Sequence, residues 1–517
     1  MRALAAAVSA LLLALGACGG GNDAANGTVL TMARPQDAVV LDPSHATDGA
    51  SLAVTGEVMQ NLVTLAPGTF TVAGDAAARW SSNRDGTVWT FELRPHLVFS
   101  DGMPLDAAAV KFNFDRWRLP SDPAHGAFSY AGYVRAFGGL PGAIADVRAP
   151  APARVVIRLA RPLGAFLHDI AEPSFAIGSP AAIRADPNAF ERTPVGSGPY
   201  VVAEWQRGDH ITLVANPRYA GPKPGFGTVI VRDVPDQATG VLSIEKGDAD
   251  MLTDPQLDDV KRLGTESGLR VVEQPSNSVA YLALDATKKP FGDVRVRRAI
   301  AYAIDAGAIA GLFPSGTTPA ANWTPPGMLG ANPSATAYPR DVRTARALLA
   351  AAGFPHGMRV TLSYPIAPRA YLPEPERVAE LLQAQLADAG IAVTPAPDEP
   401  AAEPDEIEHC RRDMCLGGGS AGNGDPDDLF DLLDRNAAQG TSPQRDLALH
   451  RLILAGRTAT SDAQRASIYR QANAIVHDQV PAIPLVHAPV PIVLRSALKG
   501  FVPSPNNSYH FASIHGS

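Results

Sequence analysis

The chain has 517 residues with 44 basic and 52 acidic side chains, so its formal net charge is −8 and only 19% of its residues are charged. With 46% hydrophobic residues, this composition excludes a membrane bundle, which needs repeated apolar runs of about 20 residues, and a disordered chain. A mildly acidic chain without clusters of Lys, Arg and aromatic residues is also a poor partner for nucleic acid.

The first 17 residues have the pattern of a secretory signal peptide. Arg2 supplies a positive charge, and residues 3–15 form an apolar stretch too short to span a bilayer permanently. Residues 15–18 read Leu-Gly-Ala-Cys and resemble the bacterial lipobox, in which the cysteine is acylated and becomes the new N-terminus. We therefore expect export, lipidation of Cys18 and a flexible tether over residues 18–27. A chance cysteine after an ordinary cleavage site is the alternative.

Alternation of apolar and polar residues predicts strands in the first half of the chain. In GTVWTFELR at residues 86–94, Trp89, Phe91 and Leu93 alternate with residues of the opposite face, as in a strand with one buried face. Further strands are predicted at residues 28–36, 154–159, 210–216, 228–234 and 279–285.

Helices are predicted where a capping residue precedes apolar residues at helical spacing. Asp106 can cap a helix in which Phe114 and Trp117 share one face, and Asp293 can cap a second helix. The helices predicted in the second half cover residues 294–305, 344–352 and 375–390. Mixed with the strands, they predict an α/β protein with mixed sheets.

The segment after the helix at residues 375–390 has three predicted parts. Residues 391–393 form a strand, and residues 395–409 form an exposed loop, since they hold six acids, four prolines and no Lys or Arg. Cys410 and Cys415 follow, and outside the cytoplasm two thiols this close favour a disulfide. A metal site would need more ligands than the adjacent His409 provides, so neither a metal nor a cofactor is expected.

Four separated stretches resemble one family, the extracytoplasmic solute-binding proteins of peptide-type ABC importers (bacterial solute-binding protein family 5). The resemblance lies in the WTFELR strand with the FSDGMP turn, the GSGPY motif, the helix FGDVRVRRAIAYAID, and a C-terminal helix and strand. These stretches cover residues 80–112, 194–224, 291–305 and 468–487, in the family's order. Family members bind dipeptides, oligopeptides or nickel, so the resemblance implies solute binding.

The resemblance also implies a two-lobed, hinged periplasmic-binding-protein fold (type II-like, class C) with an additional inserted domain. Lobe III covers residues 274–489 and lobe II covers residues 66–192. Lobe I combines residues 28–65, 193–273 and 490–517. Two connecting segments form a hinge, and closure encloses the ligand between lobes I and III.

Two residues match a ligand-binding element of the dipeptide binders, an Arg-x-Tyr before a helix of lobe III. Arg369 and Tyr371 occupy these positions, and the arginine of the family pairs with the peptide's carboxylate. A guanidinium fork suits a carboxylate because two parallel hydrogen bonds fix its place and orientation. A solvated loop arginine beside a packing tyrosine is the alternative.

A second element of the family differs in this chain. Where the family has a tryptophan and, three residues later, an aspartate for the ligand's α-ammonium, this chain has Gly419 and Gly422. If the cleft enclosed a ligand's ammonium group without a carboxylate beside it, the buried positive charge would lack an opposite charge to offset the cost of its burial. Either another acid replaces the aspartate, with Asp425 nearest in sequence, or the ligand is not a short peptide with a free N-terminus. The glycines are also expected to clear space for a larger ligand.

Residues 418–422 also fit the nucleophile-elbow pattern G-x-S-x-G of a secreted serine hydrolase. Ser420 would be the nucleophile, and the downstream histidines are formal candidates for the base: His450, His477, His487 and His510. The elbow needs a helix directly after the serine, and the following Asn-Gly-Asp-Pro is a loop sequence. A hydrolase is therefore the alternative and not the main hypothesis.

The resulting prediction is a monomeric substrate-binding component of an ABC importer. Anchored to the cell membrane in the envelope through Cys18, it captures a solute, most readily an oligopeptide. It delivers this solute unaltered to a membrane permease that is powered by an ATPase. A receptor for a non-peptide ligand on the same scaffold is a further alternative.

Overall fold

The computed structural model describes residues 29–284, 288–398, 410, 412–434, 447–506 and 508–516. The predicted signal peptide, the tether with Cys18, and residues 399–409 of the acidic segment lie outside the described residues. Within them, no helix is both long enough and apolar enough to span a bilayer. Three larger sheets organise the described chain, and we keep the names lobe I, II and III for the parts built on them.

Lobe I contains a seven-stranded sheet whose strands come from distant parts of the chain. Val29–Arg34 pairs in parallel with both of its neighbours, and the other pairs are antiparallel. In spatial order the strands are Leu269–Gln274, Val490–Arg495, Met251–Thr253, Val29–Arg34, Thr228–Asp233, His210–Ala215 and Tyr200–Gln206. Helices Gly49–Val58, Gln237–Lys246 and Leu257–Leu263 pack on this sheet. The C-terminal elements of the lobe are the paired strands Leu498–Lys499 and His515–Gly516 and a 3-10 turn at Phe511–Ser513.

Lobe II contains a four-stranded antiparallel sheet with its own hydrophobic core. Asp106 caps the helix on this sheet as predicted, because its carboxylate accepts the backbone N–H groups of Ala108 and Ala109 at 3.0 Å. In spatial order the strands are Ala77–Ser82, Val88–Leu93, Arg154–Leu159 and Ile144–Ala151. Strand Val63–Leu65 packs in the core of this lobe and pairs with Val72–Gly74, although the proposed boundaries put it at the end of the first part of lobe I. The other elements are helices Ala107–Arg118, Ala131–Phe137, Phe166–Asp169, Pro180–Ala185 and Pro187–Phe190, and a 3-10 turn at Pro173–Phe175.

Lobe III contains a six-stranded mixed sheet and the largest core. In spatial order its strands are Thr318–Pro319, Ala482–His487, Ser278–Leu284, Met414–Ser420, Met358–Tyr364 and Ile391–Pro397. Its helices are Val294–Ala303, Ala306–Ala310, Val342–Ala351, Pro375–Asp388, Pro426–Asp431, Leu447–Thr458 and Asp462–Gln479. Cys410 and Cys415 form a disulfide at the start of the strand Met414–Ser420.

The prediction of an exposed loop at residues 395–409 is wrong at its start, because the first three of these residues belong to a strand. Pro395, Ala396 and Pro397 continue the strand from Ile391 and pair in parallel with Leu362–Tyr364. Ile391–Pro397 is the last strand of its sheet. An edge strand tolerates proline because one side of its backbone makes no ladder hydrogen bonds.

The backbone of the described chain passes directly between the two large sheets at two places. Residues 275–277 connect strand Leu269–Gln274 of lobe I to strand Ser278–Leu284 of lobe III. Residues 488–489 connect strand Ala482–His487 of lobe III back to strand Val490–Arg495 of lobe I. The strands on each side of these crossings pair with each other, in lobe I and again in lobe III. The two crossings therefore run side by side.

The GSGPY motif has a packing explanation. A Cβ atom on Gly196 would lie 2.1 Å from the carbonyl oxygen of Val58, and one on Gly198 would lie 2.6 Å from the carbonyl carbon of the same residue. The Gly198 N–H donates to that carbonyl oxygen at 2.9 Å. Both glycines are needed because the backbone at the end of helix Gly49–Val58 lies directly on the strand start at Tyr200.

The same helix end carries a buried carboxyl group. Glu57 is 2% exposed and accepts the backbone N–H of Phe511 at 3.0 Å, so it connects the helix to the C-terminal segment. Burial raises the pKa of Glu57 to about 8, against hydrogen bonds from the backbone of Phe511 and His510 that lower it.

We expect Glu57→Gln to raise the melting temperature near pH 8. The folded protein keeps a proton that the unfolded chain releases above its ordinary pKa of 4.5. The free energy of unfolding should therefore fall as the pH rises from about 5 to about 8. Glutamine does not titrate, so the variant should not lose stability in this way. Thermal melts of both proteins across this range check it, with the exposed Glu204→Gln as control. An equal pH dependence in wild type and Glu57→Gln would contradict it.

Candidate ligand-binding site

The loop with Arg369 and Tyr371 lies beside the strand Met414–Ser420. The backbones of Arg369 and Leu372 exchange hydrogen bonds of 3.0 and 2.9 Å, which close a tight turn before helix Pro375–Asp388. A Cβ on Gly418 would lie 2.2 Å from Cδ2 of Tyr371, so the tyrosine ring packs directly on the strand backbone. Arg369 is exposed. The structure thus brings this loop next to the strand that leads to the other predicted residues.

Gly419 does not open space for a ligand. A Cβ at this position would lie 2.5 Å from Cδ1 of Leu432, so the side chain of that leucine already occupies the volume. The expectation of free space at Gly419 is therefore wrong. A glycine is required there because Leu432, from the segment after helix Pro426–Asp431, packs on the strand.

Gly422 faces an ion pair from lobe II. A Cβ on Gly422 would lie 3.5 Å from Oε1 of Glu172 and 3.6 Å from Nη1 of Arg135. Arg135 Nη2 donates to both carboxylate oxygens of Glu172, at 2.8 and 2.7 Å, and Ser174 donates to one of them at 3.2 Å. Burial raises the pKa of Glu172, although Arg135 opposes the shift. An acid from another lobe therefore stands opposite the position where the family has its aspartate.

Asp425 has a structural role that the sequence did not reveal. It is fully buried, and Arg465 donates to its two carboxylate oxygens at 2.6 Å each. His168 Nδ1 of lobe II lies 3.3 Å from the same carboxylate. Burial alone would raise the pKa of Asp425, but the charge and hydrogen bonds of Arg465 outweigh it and hold the pKa below its usual value. Both oxygens are engaged, so the expectation that Asp425 accepts a ligand's ammonium is wrong.

Residues 421–428, which end in the first turn of helix Pro426–Asp431, contact lobe II around this site. Asn423 donates to Oδ1 of Asp169 at 2.9 Å, next to the contact between His168 and Asp425. A further bond joins the Gly164 N–H to the Arg457 carbonyl at 2.6 Å. Polar groups of the two lobes therefore pair here, and Phe70 of lobe II also packs in an apolar cluster with residues of lobe III.

A cavity of 570 Å³ lies where these segments face each other. This volume is in the range of small-ligand sites, about 300–1,000 Å³. Its charged lining residues are Arg135, Arg161, Asp169 and Glu172 from lobe II and Asp427, Asp428, Asp431 and Arg457 from lobe III. Five acids and three arginines line the cavity, and burial raises the pKa of four of the acids: Asp169, Glu172, Asp427 and Asp428.

The residues that line the cavity from lobe II carry no sequence signal of their own. Asp169 ends a helix of four residues, Glu172 directly precedes a 3-10 turn, and Arg135 lies in a helix of only seven residues. No motif or periodicity links them to residues more than 200 positions later, so pattern reasoning missed them. Asp427 and Asp428 directly follow the Asn-Gly-Asp-Pro sequence of residues 423–426, so the sequence could have pointed to them.

The geometry of a nucleophile elbow is absent at Ser420. This residue ends its strand and is exposed, and the next helix begins only at Pro426. Each candidate histidine is engaged elsewhere: His450 with Asp434 at 2.9 Å, His477 with Asp478 at 3.3 Å, His487 with the carbonyls of Ser278 and Asn322 at 2.8 and 3.1 Å, and His510 with Ser504 at 3.1 Å. The arrangement gives Ser420 no base.

A model of the bacterial extracellular solute-binding proteins, family 5 (middle region), matches residues 71–441. The chain belongs to this family. It is similar to the dipeptide-binding protein of Escherichia coli K12, at 29% identity over 92% of each chain. It is also similar to heme-binding protein A of Haemophilus influenzae, at 28% identity over 92% of this chain and 90% of that one.

Among solved structures, the chain is similar to HbpA2 from Haemophilus parasuis, with a TM-score of 0.88 and 26% identity over 95% of this chain and 100% of that one. The predicted two-lobed periplasmic-binding-protein fold is confirmed. The named relatives bind a dipeptide in one case and heme in the other, so membership of the family leaves the ligand class to the site.

We expect Asp425→Asn to destabilise the protein strongly. Removing one charge of a buried pair leaves the other uncompensated, which costs about 3–5 kcal/mol. Urea unfolding of the variant should show this loss. The exposed helix residue Asp258→Asn is the matched control and should stay within about 0.5 kcal/mol of wild type. A variant that unfolds at the wild-type urea concentration would contradict the structural role.

Proposed function

We propose that this protein is the substrate-binding component of an ABC importer that captures an oligopeptide and delivers it unaltered to a membrane permease and its ATPase. The observation that carries the proposal is the pair of adjacent crossings that connect lobe I to lobe III, together with family membership. Because the described backbone crosses between the sheets of lobes I and III at residues 275–277 and 488–489, the angle between these two lobes can change without breaking either sheet.

Arg369 is the proposed partner of the peptide's C-terminal carboxylate. Arg369 is exposed on the turn that also holds Tyr371, and the ring of Tyr371 packs at Gly418 on the strand that carries Gly419. The strand and the turn would then meet the peptide's backbone and carboxylate in that order. The lobe boundaries, with lobe I at residues 28–65, 193–273 and 490–517, are part of the same proposal.

The first test identifies the cargo and the role of Arg369. Native mass spectrometry of the purified protein should show co-purified peptides. A mixture of tripeptides with free termini should raise the melting temperature, since a ligand at about 100 times its Kd adds about 2.7 kcal/mol. Arg369→Ala should lose most of this rise, because the charge-assisted hydrogen bonds to the carboxylate are removed.

The matched control is Arg343→Ala, an exposed arginine on helix Val342–Ala351, which should keep the full rise. C-terminally amidated tripeptides should stabilise wild type and Arg369→Ala equally weakly. Undiminished stabilisation of Arg369→Ala would refute the carboxylate role, and a non-peptide cargo such as a porphyrin would refute the peptide assignment.

The proposed location is the outer face of the cell membrane, through acylation of Cys18. We expect metabolic labelling with an alkyne fatty acid to mark the wild-type protein and not Cys18→Ser, because that thiol is the acylated group. The variant should move from the membrane fraction to the soluble envelope fraction, since firm anchoring needs acyl chains. Labelling that survives in Cys18→Ser would contradict the anchor.

A further inference from the structure

We propose that the contact between lobes II and III is a proton-controlled latch, whose two acids are Asp169 of lobe II and Asp428 of lobe III. The latch is closed when either of these latch acids carries a proton, and it opens when both are ionised. Capture of a cargo is then favoured in acid and release at higher pH. This inference goes beyond the proposed function, because closing and opening can be measured without any cargo.

Lobes II and III are held together by contacts that can separate. The described chain enters lobe II after helix Gly49–Val58 and returns to lobe I at strand Tyr200–Gln206, so its backbone does not pass directly from lobe II to lobe III. The polar contacts described above are Asn423–Asp169, His168–Asp425 and Gly164–Arg457, at 2.9, 3.3 and 2.6 Å. A rotation of lobe III away from lobe II would break all three.

Lobe II is fixed to lobe I more firmly than to lobe III. Arg116 of lobe II forms an ion pair with Asp42 of lobe I, and the two residues are only 2% and 1% exposed. Asn61, at the end of the first part of lobe I, donates to the carbonyls of Ile170 and Glu172 at 3.1 and 2.6 Å. Because separating a buried ion pair is costly, lobe II should follow lobe I when the angle between lobes I and III changes.

The latch acids line the same cavity from the two lobes. Asp169 is 5% exposed, and its Oδ1 accepts the side-chain amide of Asn423. Its Oδ2 is buried without a hydrogen-bond partner in the described part of the protein. Asp428 is half-buried. Two carboxylates that share a poorly solvated space repel each other when both are ionised, so the closed contact favours a proton on one of them.

The three arginines of the lining do not pair with the latch acids. Arg135 donates to both carboxylate oxygens of Glu172, and Arg457 pairs with other acids of lobe III. Arg161 is exposed, and no ion pair joins it to either latch acid among the described residues. A proton can neutralise a latch acid without a partner from the chain.

The titration of the latch acids agrees with this geometry. Burial raises the pKa of Asp428 to about 7, and the charge of Glu172 adds to the shift although Arg135 opposes it. Burial also raises the pKa of Asp169 well above its usual value, against the hydrogen bond from Asn423, and the charge of Asp428 adds to this shift. Part of each shift comes from an acid of the opposite lobe and exists only while the lobes touch. The charged or titratable groups that face the latch acids are Arg135, Arg161, His168, Glu172, Asp425, Asp427, Asp431 and Arg457.

The direction of the pH dependence follows from these shifts. When the lobes part, both latch acids face water and should titrate near their usual pKa of 3.8. The closed contact keeps a proton that the open one releases. The free energy that favours closing should therefore be greatest below about pH 4 and fall as the pH rises to about 7.

Amide hydrogen exchange of the purified full chain, freed of cargo, tests the latch. The Gly164 N–H donates to the Arg457 carbonyl of the other lobe, so its exchange rate, divided by its intrinsic rate at each pH, reports how often the lobes part. We expect the protection of this amide to fall at least about tenfold between about pH 5 and about pH 8. The amides of strand Val88–Leu93, inside the lobe II sheet, are the reference and should keep their protection.

Asparagine at either position imitates a protonated latch acid. Asp169→Asn keeps an oxygen that can accept from Asn423, and both Asp169→Asn and Asp428→Asn remove one of the two repelling charges. Each variant should therefore keep the Gly164 amide protected near pH 8. The exposed Asp258→Asn, on a helix of lobe I, is the matched control and should lose protection as wild type does. If one latch variant fails to fold, the other and the wild-type profile still decide.

A second measurement connects the latch to cargo. A mixture of tripeptides with free termini is titrated into the full chain at about pH 5 and about pH 7, where both peptide termini keep their charges. Wild type should bind the mixture at least about threefold tighter at the lower pH, because closing is easier there. Asp428→Asn should bind it equally tightly at both values.

The outcomes distinguish the latch from the proposed function. Protection of Gly164 that does not change with pH, or that falls together with the reference strand, overturns the latch and leaves the proposed function standing. A fall that persists in both Asp169→Asn and Asp428→Asn overturns the assignment to these acids. If tripeptides bind at neither pH, the proposed function fails, whereas a selective fall in the cargo-free protein still supports the latch.

Discussion

Burial of carboxylates where lobe III meets lobe II is the constraint on which the site depends. The loop of residues 421–428 carries several acids into a region of low exposure, and each needs compensation. Asp425 receives Arg465 and His168, Asp427 receives the Tyr469 hydroxyl at 2.5 Å, and Glu172 across the interface receives Arg135. The position of the loop is set by these pairs, because moving it would separate charges that have no alternative partner.

This compensation explains why a glycine can stand where the family has an aspartate. A further carboxylate at Gly422 would lie next to Glu172, within reach of the one arginine that already neutralises it. The acid that faces this position is Glu172, on the opposite lobe. At Gly419 the family's tryptophan has no room, since Leu432 fills the volume. The two glycines thus belong to a consistent repacking of the strand end and not to an enlarged chamber.

Local features of the fold were predictable from sequence because local physics determines them. Asp106 and Asp293 cap helices as their spacing predicts, and the strand containing Phe91 has the expected buried face. The extension of the strand to Pro397 was missed because composition cannot show that a segment lies at a sheet edge. The role of Asp425 was missed because its partner Arg465 lies on an ordinary amphipathic helix, where nothing in the sequence marks one arginine as turned inward.

The two side-by-side crossings have a mechanical consequence. The described backbone connects the sheets of lobes I and III through two segments, residues 275–277 and 488–489, and these segments lie side by side. A rotation of one half against the other therefore has a single axis, and the contacts between lobes II and III resist it. Rotation about this axis would displace groups in proportion to their distance from it, so the largest changes in separation between the two halves would occur furthest from residues 275–277 and 488–489.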